Sequence, residues 1–284
     1  EGQRWLEQAL ATPADAAGAR PRAWALMGSG VLASVSGKTE RAAAVLTESL
    51  RWWKSTGDSA GYAFASSLLG GVYVSQGRYD EAAPLFAANR DYFREADHAS
   101  MLAHADFHLG LIAWMRGDAV GARGLLRESA EGYDRAGART NAINPLRYLG
   151  LAACAAGEPE EAVRWFREEW ARLRQLRSLA ALGVGLADVA ALAAARQAWR
   201  PAARLFAKAE ALLQAEAAAF SLPARDHYQR GRDRAWEALG AAAAEAAAAG
   251  QALTLEQAML EAEAVLQLDG EAGAGATPAP QRER

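Results

Sequence analysis

The segment SSLLGGVYVSQGRYDEAAPLF, residues 66–86, contains one copy of a pattern that returns through most of the chain. A small residue, Gly70, stands in an apolar stretch, and a second glycine, Gly77, follows seven residues later. Beyond it, Ala82 and Phe86 are four residues apart. Equivalent residues recur at steps of 40, and the series are Gly30, Gly70, Gly110, Gly150 and Ala190; Gly37, Gly77, Gly117 and Gly157, interrupted by Gln197; Ala42, Ala82, Ala122, Ala162 and Ala202; Leu46, Phe86, Leu126, Phe166 and Phe206; and Trp53, Phe93, Tyr133, Leu173 and Leu213. Self-similarity at a fixed period indicates a repeat protein.

Each 40-residue unit is predicted to form a pair of helices joined by a tight turn. Ser66, Leu69, Gly70 and Tyr73 are spaced by three and four residues, and this spacing places them on one helix face. The small residue lets two helix backbones approach closely. Gly77 is suited to the turn, because glycine accepts the left-handed backbone that ends a helix. One hairpin cannot bury its apolar face alone, whereas stacked hairpins share a core.

The predicted fold is therefore all-α, a right-handed solenoid of helix hairpins with a C-terminal helical cap. The solenoid covers residues 1–267, and its parts are a partial first repeat at 1–20, five hairpins at 21–60, 61–100, 101–140, 141–180 and 181–220, and a cap at 221–267. Residues 268–284 are rich in glycine, alanine and proline, and we predict a disordered tail or linker there.

Three features are predicted within the cap. Pro223 allows a helix to start, since proline is tolerated in the first helical turn. Gly240 and Gly250 are expected to bracket an alanine-rich helix. Thr254 and Gln257 are spaced as a capping box, in which each side chain accepts a hydrogen bond from the backbone of the other residue.

Composition excludes several classes of protein. The net charge is -3 and the sequence pI about 5.9, which argues against a general binder of nucleic acid or of membrane surfaces. Cys154 is the one cysteine, so a disulfide framework is excluded and a cytoplasmic setting is expected. No apolar run reaches the roughly 18 residues of a membrane span. The chain begins with Glu1 and not with methionine, so we expect it to be part of a longer protein.

Two motifs suggest chemistry that their context does not support. Gly37-Lys38-Thr39 resembles the end of a phosphate-binding P-loop, but Leu32 stands where the first glycine of that motif would be. We therefore interpret Gly37 as a turn glycine. His104 and His108 are four apart on one helix, but the zincin motif would require a glutamate after the first histidine. We expect no metal site, no cofactor and no catalytic residues, and hence no enzyme.

A resemblance to a known family supports this fold. The Leu-Gly pairs at 69–70, 109–110 and 149–150, the turn glycines, and the alanine near the start of each second helix resemble the tetratricopeptide repeat. The long period and the segments EGQRWLEQAL, AARLFAKAEALLQ, LPARDHYQRGRDRAWEALG and GQALTLEQAMLEA resemble the repeat region of bacterial STAND ATPase transcriptional regulators, the MalT-like or LuxR-type proteins. The resemblance covers about residues 1–267. It implies a sensor and scaffold domain that follows a nucleotide-binding module, often together with a helix-turn-helix DNA-binding domain.

The resemblance also implies a binding surface, because in tetratricopeptide proteins the first helix of each hairpin lines the concave side. The positions carried over by register are Trp24, Met27 and Val31; Phe64, Ser67 and Val74; His104, Phe107, Leu111, Trp114 and Met115; and Asn144, Arg147 and Leu151. This face is rich in aromatic residues and methionine, as binding sites for peptides, partner helices and small ligands are. Arg147 is predicted to read a carboxylate or phosphate through its planar guanidinium. Alternatively, these side chains fill a tight superhelix or pack against the missing modules.

Two residues on these helices break the pattern. Asp106 occupies a position whose counterparts include Leu26, Leu146 and Leu186, so either it is buried beside a histidine or arginine, or its helix is slightly rotated. Pro145 should kink or shorten its helix, because proline removes an intrahelical hydrogen bond.

The sequence thus predicts a non-enzymatic ligand- or protein-binding sensor and scaffold domain of a STAND-type transcriptional regulator. The expected partners are a protein, peptide or small-molecule effector in the concave groove, together with an upstream ATPase module. Direct binding of nucleic acid or of a membrane is not expected. The alternative is a free-standing tetratricopeptide adaptor that binds peptides or proteins.

Overall fold

A computed structural model describes residues 18–216 and 222–267 of the 284-residue chain. Its α-helices are α1 (Ala19–Val35), α2 (Thr39–Thr56), α3 (Ser59–Ser75), α4 (Tyr79–Glu95), α5 (Ala99–Met115), α6 (Ala119–Arg135), α7 (Ile143–Ala156), α8 (Pro159–Leu173), α9 (Leu179–Ala195), α10 (Trp199–Ala215), α11 (Leu222–Leu239), α12 (Ala243–Ala252) and α13 (Leu255–Gln267), with a 3-10 turn at Gly240–Ala242. Every regular element in the described ranges is helical, which confirms the all-α prediction. The half-repeat predicted before residue 18 and the tail predicted at 268–284 lie outside the described residues.

The chain divides into two compact units, one ending at Ala138 and the other beginning at Arg139. Within the first unit, each helix from α1 to α6 packs against the next helix in sequence. Within the second unit, α7 to α11 do the same, while α12 packs on α10 and α13 packs on α8, α9 and α10. The second helices of the hairpins begin at Thr39, Tyr79, Ala119, Pro159 and Trp199, at intervals of 40 residues.

The small residues of the repeat lie where two helices of a hairpin meet. A Cβ atom built on each glycine would lie 3 Å or less from a side chain sixteen residues later, and the pairs are Gly30 with Leu46 (2.5 Å), Gly70 with Phe86 (2.7 Å), Gly110 with Leu126 (2.9 Å) and Gly150 with Phe166 (2.3 Å). A real Cβ at any of these positions would force the facing side chain or the helices themselves to shift. The prediction that the glycines permit close approach of the helices is confirmed, and the four glycines have equivalent surroundings.

The turn glycines adopt the left-handed conformation that the sequence predicts. Their φ angles are 72° at Gly37, 73° at Gly77, 81° at Gly117 and 75° at Gly157. α1 ends at Val35 and α2 begins at Thr39, so the Gly37-Lys38-Thr39 triplet is a turn between two helices, as interpreted from the sequence. Gln197, which interrupts the glycine series, keeps the same backbone conformation with a φ of 61°.

The strain at Gln197 leads to a stability prediction. A residue with a Cβ loses about 1 kcal/mol in the left-handed region, so Gln197→Gly should raise the free energy of unfolding by about that amount. Chemical denaturation monitored by circular dichroism measures the change. Gln76→Gly is the control, because Gln76 directly follows α3 with an ordinary φ of -91° and its side-chain amide hydrogen-bonds Glu40 and Arg78. Glycine should be destabilising there. Equal effects of the two substitutions would contradict the explanation.

Pro145 shortens its helix. α7 has 14 residues, compared with 17 in α5 and in α9, and it begins at Ile143. Pro145 is its third residue, where a backbone N–H has no partner within the helix, so the proline removes no intrahelical bond there. The helix is shorter as predicted, but the predicted reason, the loss of an intrahelical hydrogen bond, was wrong.

The two glycines of the C-terminal region differ in role. Gly240 has a φ of 54° and follows the end of α11. Gly250 lies inside α12, so the prediction that it brackets this helix was wrong. The physical reason is close packing: a Cβ on Gly250 would be 2.2 Å from the carbonyl oxygen of Arg204 in α10. A glycine is therefore required by the contact between α12 and α10.

The capping box at the start of α13 is formed as predicted. The backbone N–H of Thr254 donates to Oε1 of Gln257 at 2.9 Å, and the backbone N–H of Gln257 donates to Oγ1 of Thr254 at 3.1 Å. These bonds satisfy two amide groups that have no partner within the helix.

Candidate functional site

Several of the predicted groove residues in the first unit are buried. Met27 is 8% exposed and belongs to a hydrophobic cluster with residues of α2 and α3. Ser67 is 4% exposed, donates to the carbonyl oxygen of Ala63 at 3.0 Å and accepts from Nδ2 of Asn89 at 2.9 Å. Leu111 is 3% exposed. Phe107 and Val74 are also buried. These side chains stabilise the helix packing and offer little surface to a ligand.

An exposed apolar stripe on α1 consists of two predicted groove residues, Trp24 and Val31, together with Val35, which was not among the predicted positions. Trp24 is 55% exposed, and the edge of its ring packs on Trp53 with a centroid distance of 5.4 Å. Val31 and Val35 follow at spacings of seven and four, so they share its helix face, and they are 38% and 84% exposed. We call Trp24, Val31 and Val35 the α1 stripe. The other predicted groove residues of this unit, Phe64, His104, Trp114 and Met115, are half-buried.

The histidine pair on α5 is packed among aromatic rings. The ring of His108 stacks on Phe86 at a centroid distance of 4.3 Å, and Nδ1 of His104 lies 3.4 Å from the hydroxyl of Tyr133. Burial lowers the pKa of both histidines, which favours their neutral forms. Within the described ranges, no group of three or more histidine, cysteine, aspartate or glutamate side chains could hold a metal ion.

Asp106 is buried and partnered by an arginine. Its Oδ1 lies 2.5 Å from Nε of Arg90, and an amino nitrogen of the same guanidinium lies 2.8 Å from Oε2 of Glu128. Burial raises the pKa of Asp106, and the charge of Arg90 opposes that shift. Of the two explanations offered for this exceptional aspartate, burial beside an arginine is therefore the one observed.

In the second unit, Arg147 belongs to a buried polar network that joins four helices. Its guanidinium lies 3.0 Å from Oδ2 of Asp188 in α9 and 3.0 Å from Oε1 of Glu169 in α8. The hydroxyl of Tyr228 in α11 donates to the second oxygen of Asp188 at 2.5 Å. The guanidinium also donates to Oδ1 of Asn144 at 2.9 Å. The Asp188 side chain is 0% exposed, that of Glu169 2% and that of Arg147 12%.

The network holds two carboxyl groups against one guanidinium. Burial, followed by the charge of Asp188, raises the pKa of Glu169 well above its ordinary value of 4.5. Burial also raises the pKa of Asp188, while Arg147 lowers it. The positive charge of Arg147 balances the negative charge of only one carboxylate, so one of the two carboxyl groups is protonated. We assign that proton to Glu169, which hydrogen-bonds Asp188. Arg147 was predicted to read a ligand's carboxylate, and here its guanidinium binds carboxyl groups of its own chain. Leu151, the other α7 groove position, is fully buried.

The second unit also contains a cavity of about 620 Å³ that the sequence did not reveal. Its floor is formed by small residues near the ends of α7 and α9, which are Cys154, Ala155, Ala191, Ala194 and Ala195. Its rim is formed by α11, through His227, Arg230, Asp233, Arg234 and Glu237. We call this space the α11 cavity. Burial raises the pKa of the Cys154 thiol to about 12, so the thiol stays protonated and is a poor nucleophile.

The sequence does not predict this cavity, because its pattern places α11 in a terminal cap. In the structure, α11 packs on α9 and α10, and Gly231 faces Phe206, where a Cβ built on the glycine would lie 3.2 Å from the ring. A small residue again faces a large one, but Gly231 follows Phe206 by 25 residues, whereas each hairpin glycine precedes its large partner by 16. Gly231 follows Ala190 by 41 residues and not by 40, so a strict count from Ala190 reaches Arg230.

Comparisons with known proteins support the fold. No protein-family model and no curated protein sequence match the chain. Solved structures do match. BtubC (BKLC) from P. vanneervenii gives a TM-score of 0.60 at 18% identity over 77% of this chain and 91% of that one. A putative kinesin light chain from Podospora anserina, with nearly identical TPR-like repeats, gives a TM-score of 0.54 at 16% identity over 69% of this chain and 96% of that one.

A third similar structure is the Rap conjugation gene regulator of the plasmid pLS20 in complex with the Phr* peptide, with a TM-score of 0.56 at 13% identity over 90% of this chain and 78% of that one. No helix in the ranges 18–216 and 222–267 is long and apolar enough to cross a membrane. At these identities the similarity establishes the fold alone. The chain therefore has the all-helical fold of proteins built from tetratricopeptide-like repeats.

Proposed function

We propose that this chain is a non-enzymatic scaffold that binds a protein or peptide through the first helices of its hairpins. The observation that carries the proposal is the α1 stripe, where Trp24, Val31 and Val35 expose apolar side chains on one helix face. Exposed apolar side chains grouped on one face are typical of surfaces that bind a partner. Trp24 adds a large aromatic anchor of the kind that dominates binding energy. The peptide complex of the structurally similar Rap regulator supports the same kind of partner.

The finer proposal is a sensor and scaffold domain of a STAND-type transcriptional regulator, which would act on an attached ATPase module. It is supported by the resemblance of the closing segments to that family. Binding of an effector would shift the ATPase between its resting and active states only through a difference in affinity for the two states. A free-standing adaptor is equally consistent with the fold. The coding sequence upstream of Glu1 distinguishes the two, since the regulator requires an ATPase module there.

A binding experiment tests the α1 stripe. Peptides of twelve residues are selected from a random phage-displayed library on the purified chain, and their affinities are measured by fluorescence polarisation. Val35→Asp should weaken binding by about tenfold or more, because the substitution places a charge on an apolar contact surface. Val120→Asp is the matched control, since Val120 is 86% exposed on α6, close to the 84% of Val35.

Trp114→Ala is a second arm of that experiment and tests the groove predicted on α5. Circular dichroism and the midpoint of chemical denaturation show whether each variant is folded. If peptides are selected but Val35→Asp and Val120→Asp affect their affinities equally, the α1 stripe is not the binding surface. If no peptide binds the folded chain, the peptide-binding proposal is itself contradicted.

A further inference from the structure

Two arginines on α11 are placed to bind an anion. Arg230 and Arg234 are one helical turn apart, so they lie on the same face, and both line the rim of the α11 cavity. Both are exposed, and among the described residues neither has an ion-pair or hydrogen-bond partner. Arg232, between them in sequence, differs because it pairs with Glu210 at 2.9 Å and with Asp233 at 3.4 Å. The cavity thus has two guanidinium groups whose donors are available to a ligand.

The floor of the α11 cavity is suited to an apolar group. Four of its five residues are alanines, and the fifth is the protonated, half-buried thiol of Cys154. Such short side chains cannot fill the space between the helices, so a volume of about 620 Å³ stays open. Small-molecule sites usually enclose roughly 300 to 1,000 Å³ and combine an apolar lining with a few polar groups. The α11 cavity matches that description.

The acidic residues of the rim limit the charge of the ligand. Asp233 and Glu237 each stand three residues after one of the two arginines and also line the cavity. Their negative charges would repel a dianion more strongly than a monoanion. His227, which also lines the cavity, adds no positive charge, because burial and then the charge of Arg230 lower its pKa to about 4. The charges of the cavity therefore favour a ligand with a single negative charge. A planar anionic group suits the two arginines, because a guanidinium binds such groups well.

We propose that the α11 cavity binds a small organic monocarboxylate. The carboxylate is bound by Arg230 and Arg234, and the apolar body of the ligand lies on the alanine floor between α7 and α9. This site goes beyond the proposed function, since it lies in the second unit and the α1 stripe lies in the first. It would give the scaffold a small-molecule ligand in addition to its protein or peptide partner.

Three ligands with eight carbon atoms each test the proposal: octanoate, octanamide and octyl phosphate. The readout is the imidazole NMR signal of His227 in the full chain, assigned with His227→Gln, while His98, His104 and His108 report on binding elsewhere. Octanoate should shift the His227 signal saturably at millimolar concentrations, as expected for a ligand with so few atoms. Octanamide should bind about tenfold more weakly or worse, because it lacks the charge that strengthens hydrogen bonds to arginine. Octyl phosphate should bind more weakly than octanoate, because Asp233 and Glu237 oppose its second charge.

Substitutions test the two arginines directly. Arg230→Gln and Arg234→Gln should each weaken octanoate binding by about tenfold, since each removes a charged hydrogen bond. Both residues are exposed, so the variants should fold. Arg225→Gln is the matched control, because it changes the net charge equally on the same helix but does not line the cavity. The proposal is overturned if no saturable shift of His227 occurs, if octanamide binds as well as octanoate, if octyl phosphate binds more tightly, or if the two variants behave like the control.

Discussion

Replacing Arg147 with methionine is expected to lower the free energy of unfolding of the second unit by about 3 to 5 kcal/mol at neutral pH. Methionine has nearly the length of the apolar part of the arginine side chain. The loss of stability therefore comes from removing the guanidinium charge and its hydrogen bonds. Asp188 and Glu169 would then be buried without a positive partner, and only Tyr228 and the Glu169 carboxyl group would hydrogen-bond Asp188. Urea denaturation monitored by circular dichroism measures the effect. A cost below about 1 kcal/mol would show that the network contributes no more than a surface ion pair.

Glu169→Gln is the matched control for this experiment. Glutamine has the shape of a protonated glutamic acid, and it can still donate a hydrogen bond to Asp188 and accept one from Arg147. Because Glu169 is assigned as protonated, this variant should cost less than about 1 kcal/mol at neutral pH. If it costs as much as Arg147→Met, Glu169 is ionised in the folded protein, and the assignment of the proton is wrong.

The pH dependence of stability provides a second measurement on the network. The pKa of Glu169 is raised in the folded state above its ordinary value of 4.5, so the folded state binds this proton more tightly than the unfolded state. The stability that protonated Glu169 contributes is therefore complete below about pH 4.5 and is lost as pH rises through the folded-state pKa of Glu169. As pH rises from 4.5 to the folded-state pKa of Glu169, the wild type should therefore lose stability relative to Glu169→Gln. A difference that is independent of pH would contradict the raised pKa.

Periodicity predicted the helix pairing because it reports directly on packing. Gly70 and Phe86 recur with their counterparts at a fixed spacing, and the structure places each such pair in contact. Exposure was harder to predict, since it depends on how closely the helices approach. Met27 and Ser67 belong to the helix face expected to line a groove, yet neighbouring helices cover them. The domain limits, the attached ATPase module and the occupant of the groove stay predictions.

The buried network was not predicted, because the sequence does not reveal which charges meet. Glu169 lies among other acidic residues of α8 and resembles a residue of a solvated helix face. Asp188 did carry a signal: it is the one charged residue in the apolar sequence of α9, LAALGVGLADVAALAAA. A lone charge in a buried helix requires a partner, and Arg147 is the charged residue on the first helix of the preceding hairpin. The apolar context of Asp188 is therefore a sequence signal for its pairing with Arg147.

Gly250→Ala is expected to destabilise the second unit by about 3 kcal/mol or more, although alanine is the better helix former. The new Cβ would lie 2.2 Å from the carbonyl oxygen of Arg204 and 2.5 Å from its Cα. These are backbone atoms, so no side-chain rotation can relieve the overlap, and α12 must move away from α10. That movement would also strain the hydrogen bond from Lys208 to the carbonyl oxygen of Leu253, which follows α12.

Gly71→Ala is the control for this substitution. Gly71 lies inside α3, and a Cβ atom there would have no neighbour within 4 Å. Alanine should therefore stabilise the protein at this position by about 0.5 to 1 kcal/mol, through helix propensity alone. Opposite signs for the two Gly→Ala changes in urea denaturation would show that contact with α10, and not the helix itself, requires glycine at position 250. If Gly250→Ala were also stabilising, the close approach of α12 to α10 would be wrong, and with it the packing of α12 within the second unit.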